Sequence, residues 1–236
     1  MLSIVIPSLN EEKHLPLLLA SIKDQDFSDY EIIVADAGST DRTREIAEKY
    51  GCKVVEGGPV SVGRNRGAEV ASGEFLFFID ADSILPSKNF LGDLNEIVIK
   101  KNIGVAGFPI LPIGGIWLDR FALSFWNTTA KLTQAFLPHA AAIIFATKEV
   151  HRAIGGFDET IKLAEDHHYV RQGKKISKFV FLDKLPVHIS IRRYEKDGRI
   201  KTYIKFILAE LYMMIFGPIR TNIFDYKFNH YNGDQK

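Results

Sequence analysis

Asp80-Ala81-Asp82 sets two carboxylates one residue apart. Paired hard oxygens of this kind suit Mg2+ or Mn2+, which completes its shell with substrate phosphate oxygens rather than with a full protein cage. There the cation would neutralise charge developing on a departing diphosphate. Asp-x-Asp is also common in surface turns, so its place in the chain decides its meaning. Asp36-Ala-Gly-Ser-Thr-Asp41 is a second grouping. It reads as a strand-to-helix turn capped by Ser39 or Thr40, and Asp36 could also accept the imide or amide N–H of uracil or guanine. Arg192-Arg193-Tyr194, followed by Lys196, Arg199, Lys201 and Lys205, is the third. Guanidinium groups grip phosphate in bidentate fashion, so Arg192 and Arg193 could clamp a leaving diphosphate or a phosphorylated acceptor; the alternative is a solvated loop.

The elements around these residues give them a common location. Leu2–Pro7 is a buried strand stopped by proline, and Leu15, Leu18, Leu19 and Ile22 mark one helix face. Glu31–Ala35 is a second strand, followed by a helix running to Gly51. Lys53–Val55, a helix over Gly63–Ala71 and the apolar run Glu74–Ile79 complete an alternating βαβ pattern that predicts a parallel sheet. Open α/β sheets bind ligands beyond the carboxyl ends of their strands. Residues 7–11, Asp36 and residues 80–82 all fall there. Beyond residue 102 the pattern predicts a strand at Val105–Phe108, a helix over Trp117–Phe136, a strand at Ala140–Phe145 and a short helix from Lys148 to Ile154. From Ile200 an apolar helical face follows, and then a polar tail whose last dozen residues are expected to fray.

Bulk properties narrow the class. The 236 residues carry 30 basic and 29 acidic side chains, a net charge of +1 that offers no global field for nucleic acid. Cys52 is the only cysteine, which rules out an internal disulfide or a thiolate cluster and fits a reducing, cytoplasmic setting. The N-terminus does not read as a signal peptide. The longest uncharged stretch, residues 103–118, falls short of the roughly 20 apolar residues a spanning helix needs.

Taken together, Ile4–Glu12, Asp36–Asp41, Gly63-Arg-Asn-Arg-Gly67, Phe78–Asp82, Gly155-Gly-Phe-Asp158 and Glu165-Asp166 resemble, in order, the motifs of family 2 glycosyltransferases. The resemblance spans roughly residues 2–200. It implies a GT-A fold, a Rossmann-like, largely parallel mixed sheet flanked by helices. Residues 1–102 would form the nucleotide-sugar half and 103–200 the acceptor half, with a helical extension over 201–236. It implies that Pro7, Leu9, Glu11, Asp36, Arg64, Asp80, Ala81 and Asp82 bind a UDP- or GDP-sugar, with Asp80 and Asp82 on the metal. Asp166 would be the general base of an inverting transfer, although acids in a first helical turn also favour the helix dipole unaided. Gly156 and Glu165 would lie on the diphosphate and acceptor side, and His188 could be a third metal ligand.

The resemblance leaves a carbohydrate or a lipid-linked acceptor open. The processive members' Gln-x-x-Arg-Trp signature is absent, which favours transfer of single sugars. Residues 192–219 combine basic groups with an apolar helix face. That face either packs on the protein or rests peripherally on a membrane, at its cytoplasmic side. Rival readings are a sugar nucleotidyltransferase and a nucleotide-sugar-binding protein without turnover.

Overall fold

The computed structural model describes residues 1–225. The expected fraying of the tail falls almost wholly on residues 226–236, outside the described part. The chain begins as β1 (Leu2–Ser8), α1 (Leu15–Lys23), β2 (Tyr30–Asp36), α2 (Thr43–Lys49), β3 (Lys53–Glu56), α3 (Val60–Val70) and β4 (Phe75–Phe78). It continues through β5 (Ser83–Ile84), α4 (Phe90–Lys100), β6 (Val105–Gly107), β7 (Ile110–Ile113), α5 (Trp117–Thr133), β8 (Ile144–Thr147) and α6 (Lys148–Ala153). The last elements are α7 (Glu165–Ile176), β9 (Phe179–Phe181), β10 (Val187–Ser190), α8 (Arg192–Asp197) and α9 (Arg199–Phe216).

The main sheet has the order β3-β2-β1-β4-β8-β6-β9. Every neighbouring pair is parallel except those made by β8, which runs against both β4 and β6. Strands from both sides of residue 102 therefore share one sheet. A smaller sheet, β5-β10-β7, lies apart from it. β1 is apolar throughout and almost wholly buried because helices cover both of its faces. On one face α1 contributes Leu15, Leu18, Leu19 and Ile22, the four residues whose spacing predicts its buried side. On the other, α3 approaches so closely that a Cβ on Gly67 would lie 2.3 Å from Val5 Cγ1. That approach explains the second glycine of the Gly63–Gly67 motif.

Three local expectations are corrected. Neither Ser39 nor Thr40 caps α2, which starts at Thr43 with Arg42 at its cap position. The Ser39 hydroxyl donates to Asp36 instead, and the Thr40 N–H donates to Asn10 Oδ1 at 2.8 Å. Local side-chain bonding to a carboxylate competes with capping, and here it wins. The strand expected over residues 140–145 lies at Ile144–Thr147. Residues 140–143 form a loop instead, buried at Ala140 and Ile143 and half-buried at Ala141 and Ala142, with Ala142 in the left-handed region at φ 63°. Hydropathy alone does not separate a buried loop from a buried strand. Finally, α3 starts three residues before Gly63, at Val60.

Candidate active site

The loops leaving β1, β2 and β4 converge at one edge of the sheet, as the strand directions require. The first two are laced together: Asn10 N–H donates to Ser39 Oγ at 2.9 Å, Glu11 N–H to Thr43 Oγ1 at 2.7 Å, and Glu12 N–H to Asp41 Oδ2 at 3.1 Å. Beyond them opens a cavity of about 610 Å³. Of the residues singled out in the sequence, Pro7, Leu9, Glu11, Arg64, Asp80, Ala81, Asp82, Glu165, Asp166, Arg192 and Arg193 all line it.

Three expected residues do not. Asp36 is buried beside the cavity, whose wall at that point is Ala37, and its carboxylate accepts the Ser39 N–H and hydroxyl. His188 sits on β10 between β5 and β7, and the next two residues, Ile189 and Ser190, line the cavity while it does not. Gly156 packs against α3, where an added Cβ would lie 2.6 Å from Asn65 Oδ1. Its turn is held by that side chain, which accepts the Phe157 N–H at 2.8 Å and donates to the Phe157 carbonyl at 2.9 Å.

Arg64 is the electrostatic hub. It is 1% exposed and donates to Asp80 at 2.9 Å, to Glu165 at 2.9 Å and to the Ala142 carbonyl at 3.1 Å. Phe157 supports the guanidinium from below, with its ring centre 5.1 Å away, and stacks in turn on Tyr169. Burial, reinforced by nearby Asp166, raises the Asp80 carboxyl, although Arg64 opposes the shift. Glu165 is raised by burial and by Asp166 in the same way.

Across the cavity Arg192 makes a bidentate pair with Glu11, at 2.9 Å and 2.5 Å, and lies 3.1 Å from Asp82. Burial would raise Glu11, but hydrogen bonds from His14 and Arg192 outweigh it and hold the carboxyl below its usual range. Asp82 goes the other way: burial, with Asp80 and Glu11 adding to it, pushes its carboxyl up to about 6. The cavity lining thus holds three carboxylates, Glu11, Asp80 and Asp82, and the last two both resist ionisation. Asp80 and Asp82 are hard-oxygen donors of the type a divalent cation takes, and it would compete there with Arg64 and Arg192, which pair with them in this structure.

Asp166 occupies the first turn of α7. Its Oδ2 accepts the Ala142 N–H at 2.9 Å and its Oδ1 accepts the His167 N–H at 2.8 Å. The two peptide groups that flank the Ala142 Cα are thus both bound, the carbonyl by Arg64 and the N–H by Asp166.

One further cluster was missed in the sequence reading. Glu210 on α9 lies 3.3 Å from His139 Nε2, 3.0 Å from His167 Nδ1 and 2.5 Å from Arg171. The trio His139, His167 and Glu210 brings ligand-type atoms within 4.8 Å of one another. The Arg171 cation already satisfies Glu210, so the cluster acts here as a tether from α9 to α7. Glu210 is the only acid in α9, and that isolation is the cue the sequence offered.

A family model for glycosyl transferase family 2 matches residues 3–157. The chain belongs to that family. The poly(ribitol-phosphate) beta-N-acetylglucosaminyltransferase TarS of Staphylococcus aureus is 37% identical over 44% of this chain and 21% of its own length. The GalNAc(5)-diNAcBac-PP-undecaprenol beta-1,3-glucosyltransferase of Campylobacter jejuni is 36% identical over 44% of this chain and 36% of its own length. The chain thus spans about a fifth to a third of the curated relatives it matches. Among solved structures, TarS 1-349 in complex with UDP-GlcNAc superposes with a TM-score of 0.68 at 21% identity, covering 89% of this chain and 66% of that one. The mannosyltransferase PcManGT of Pyrobaculum calidifontis, in complex with GDP-Man and Mn2+, gives 0.73 at 17% identity, with 90% and 63% covered. These likenesses identify the fold as GT-A, with the largely parallel sheet expected from the sequence.

Proposed function

We propose that this chain is a glycosyltransferase that moves one sugar from a nucleoside-diphosphate sugar to an acceptor hydroxyl or phosphate, with inversion. The observation that carries the reading is the ring of Glu11, Asp80, Asp82 and Asp166 around one cavity at the carboxyl ends of β1 and β4. Residues 1–102 then serve the donor and 103–200 the acceptor, with the segment from 201 as an appendage. Neighbours that hold UDP-GlcNAc or GDP-Man support a uridine or guanosine diphosphate donor.

In this reading Pro7, Leu9 and Glu11 border the base and ribose, and Asp36 anchors the loop that presents the base site. Asp80 and Asp82 would hold Mg2+ or Mn2+. When bound, that cation offsets the charge growing on the departing diphosphate. Arg192, beside Glu11 and Asp82, and its neighbour Arg193 line the same cavity, where guanidinium groups can meet phosphate oxygens. Asp166 takes the proton of the acceptor hydroxyl as its oxygen attacks the anomeric carbon. The bond from that carbon to the diphosphate oxygen breaks, and the nucleoside diphosphate leaves with the bonding pair. A single in-line displacement inverts the centre. Both Asp166 oxygens already accept one backbone N–H, which fixes the aim of the carboxylate while leaving lone pairs for the acceptor.

The acceptor side of the cavity is apolar, walled by Trp126, Leu163, Phe206 and Met213. This favours a lipid-linked acceptor over a free carbohydrate, with residues 192–219 in peripheral contact with the membrane that carries it. No helix among the described residues is long and apolar enough to cross a membrane.

Incubation with UDP-GlcNAc or GDP-Man and Mn2+ tests the chemistry. Release of nucleoside diphosphate supports transfer, pyrophosphate would indicate a nucleotidyltransferase, and binding with no release from any donor would indicate a silent binding protein.

A further inference from the structure

α9 and α5 each turn one face inward and leave the other bare. On α9 the inward residues are Thr202, Ala209 and Met213, and on α5 they are Asp119, Leu123 and Ala130. The opposite side of α5 carries Trp117, Phe121, Phe125 and Leu132, with Trp117 74% and Phe125 67% exposed. The opposite side of α9 carries Ile200, Ile204, Ile207, Leu211 and Ile215, with Ile207 60% and Ile215 72% exposed. Bare large apolar side chains at helical spacing on two elements exceed the scattered exposure that a monomer's surface normally shows.

The two helices are joined. Asp119, fully buried in the first turn of α5, accepts Arg199 Nε at 3.0 Å and the Tyr203 hydroxyl at 2.9 Å from the first turns of α9. Further along, Glu210 meets His139, six residues beyond the end of α5. Their inner sides wall the same cavity, through Trp126 on one helix and Phe206, Ala209 and Met213 on the other.

Charge decides what covers this surface. α5 holds one acid, Asp119, and α9 holds one, Glu210, and both are engaged inward by cations. Arg120 on α5 and Lys201 on α9 are exposed beside the apolar stripes. An isologous pairing with a second copy would set these like charges against one another. An anionic lipid surface would instead accept the cations at its headgroups and the apolar stripes just beneath them.

We propose that the outward faces of α5 and α9 together seat the protein on the anionic surface of a lipid bilayer, with the acceptor side of the cavity beside that interface. This extends the peripheral contact proposed for residues 192–219 to a second helix, and it does not depend on the transfer chemistry.

The test uses the full chain and vesicles of phosphatidylcholine with or without phosphatidylglycerol. Co-sedimentation should be stronger by about tenfold or more on the anionic vesicles and should weaken with added salt. Trp117 emission should shift to the blue on binding. The pairs Phe121→Ser/Phe125→Ser and Ile207→Ser/Ile215→Ser should each lower vesicle affinity by about tenfold or more, as should Arg120→Glu/Lys201→Glu. Equal binding to neutral and anionic vesicles, or none to either, overturns the proposal. So does wild-type affinity in the α5 pair, which would confine the contact to α9. Light scattering that shows a dimer abolished by the same substitutions would assign the surface to a second copy. Donor binding measured without lipid reads the transferase proposal separately, and it should be unchanged in every variant.

Discussion

Arg64 and Asp80 meet at 2.9 Å inside the protein, and the same guanidinium holds Glu165 at an equal distance. A buried cation shared between two carboxylates is worth most when it is missing, chiefly through Glu165, since Asp80 also faces the open cavity. Arg64→Met would leave both acids without their partner, and a broken buried pair costs about 3–5 kcal/mol. Urea unfolding should show a loss of that size. Asp80→Asn in the same background should restore part of it, because one of the stranded charges is then gone.

Asp82 makes stability fall with rising pH in metal-free protein. Its folded carboxyl titrates at about 6 against an ordinary 3.8, so across that window the folded chain keeps a proton that the unfolded chain has released. Raising the pH through the window therefore removes stability, by about 3 kcal/mol over roughly two units. Glu11, Asp119 and Glu210, whose carboxyls are lowered, act in the opposite sense, so the slope is read as the difference between wild type and Asp82→Asn in denaturation midpoints followed across that range in EDTA.

Metal-dependent donor binding should fail in Asp82→Ala while the fold remains. Calorimetry with UDP-GlcNAc or GDP-Man and Mn2+ should lose about tenfold or more in affinity, since one charge-assisted contact is worth about 1.5–3 kcal/mol. Unchanged affinity with metal present would remove Asp82 from the site.

Asp166→Asn keeps the size of the side chain and an acceptor oxygen for one backbone N–H, but it cannot take a proton. Transfer should fall about 10²–10⁴-fold, with donor affinity within about twofold of wild type. Retained turnover would dismiss Asp166 as the base.

The first 102 residues were legible because their signals are local. β1, β2 and β4 announce themselves as short apolar runs, and Asp80 and Asp82 follow directly on the last of them. What could not be read is long-range. Arg192 reaches Glu11 across 181 positions, and no spacing rule reports such a pair. His139, His167, Arg171 and Glu210 come from three separate stretches and become one cluster only when α9 folds back over α7. Residues 140–143 misled for another reason: buried loops and buried strands share the same hydropathy, and only the positive φ of Ala142 tells them apart. Gly156 carried a motif-based expectation of ligand contact, yet its surroundings are Asn65 and His151. The motif there supports Arg64 through Phe157 instead of facing the cavity.

Ala142 ties these observations together. Its carbonyl is held by Arg64, which also binds Asp80, and its N–H, in the preceding peptide group, by Asp166. The two sides of the cavity therefore share a hinge pin. In the proposed transfer, a shift of Arg64 as Asp80 meets the donor would move Ala142 and with it the carboxylate proposed as the base, so filling one side would align the other.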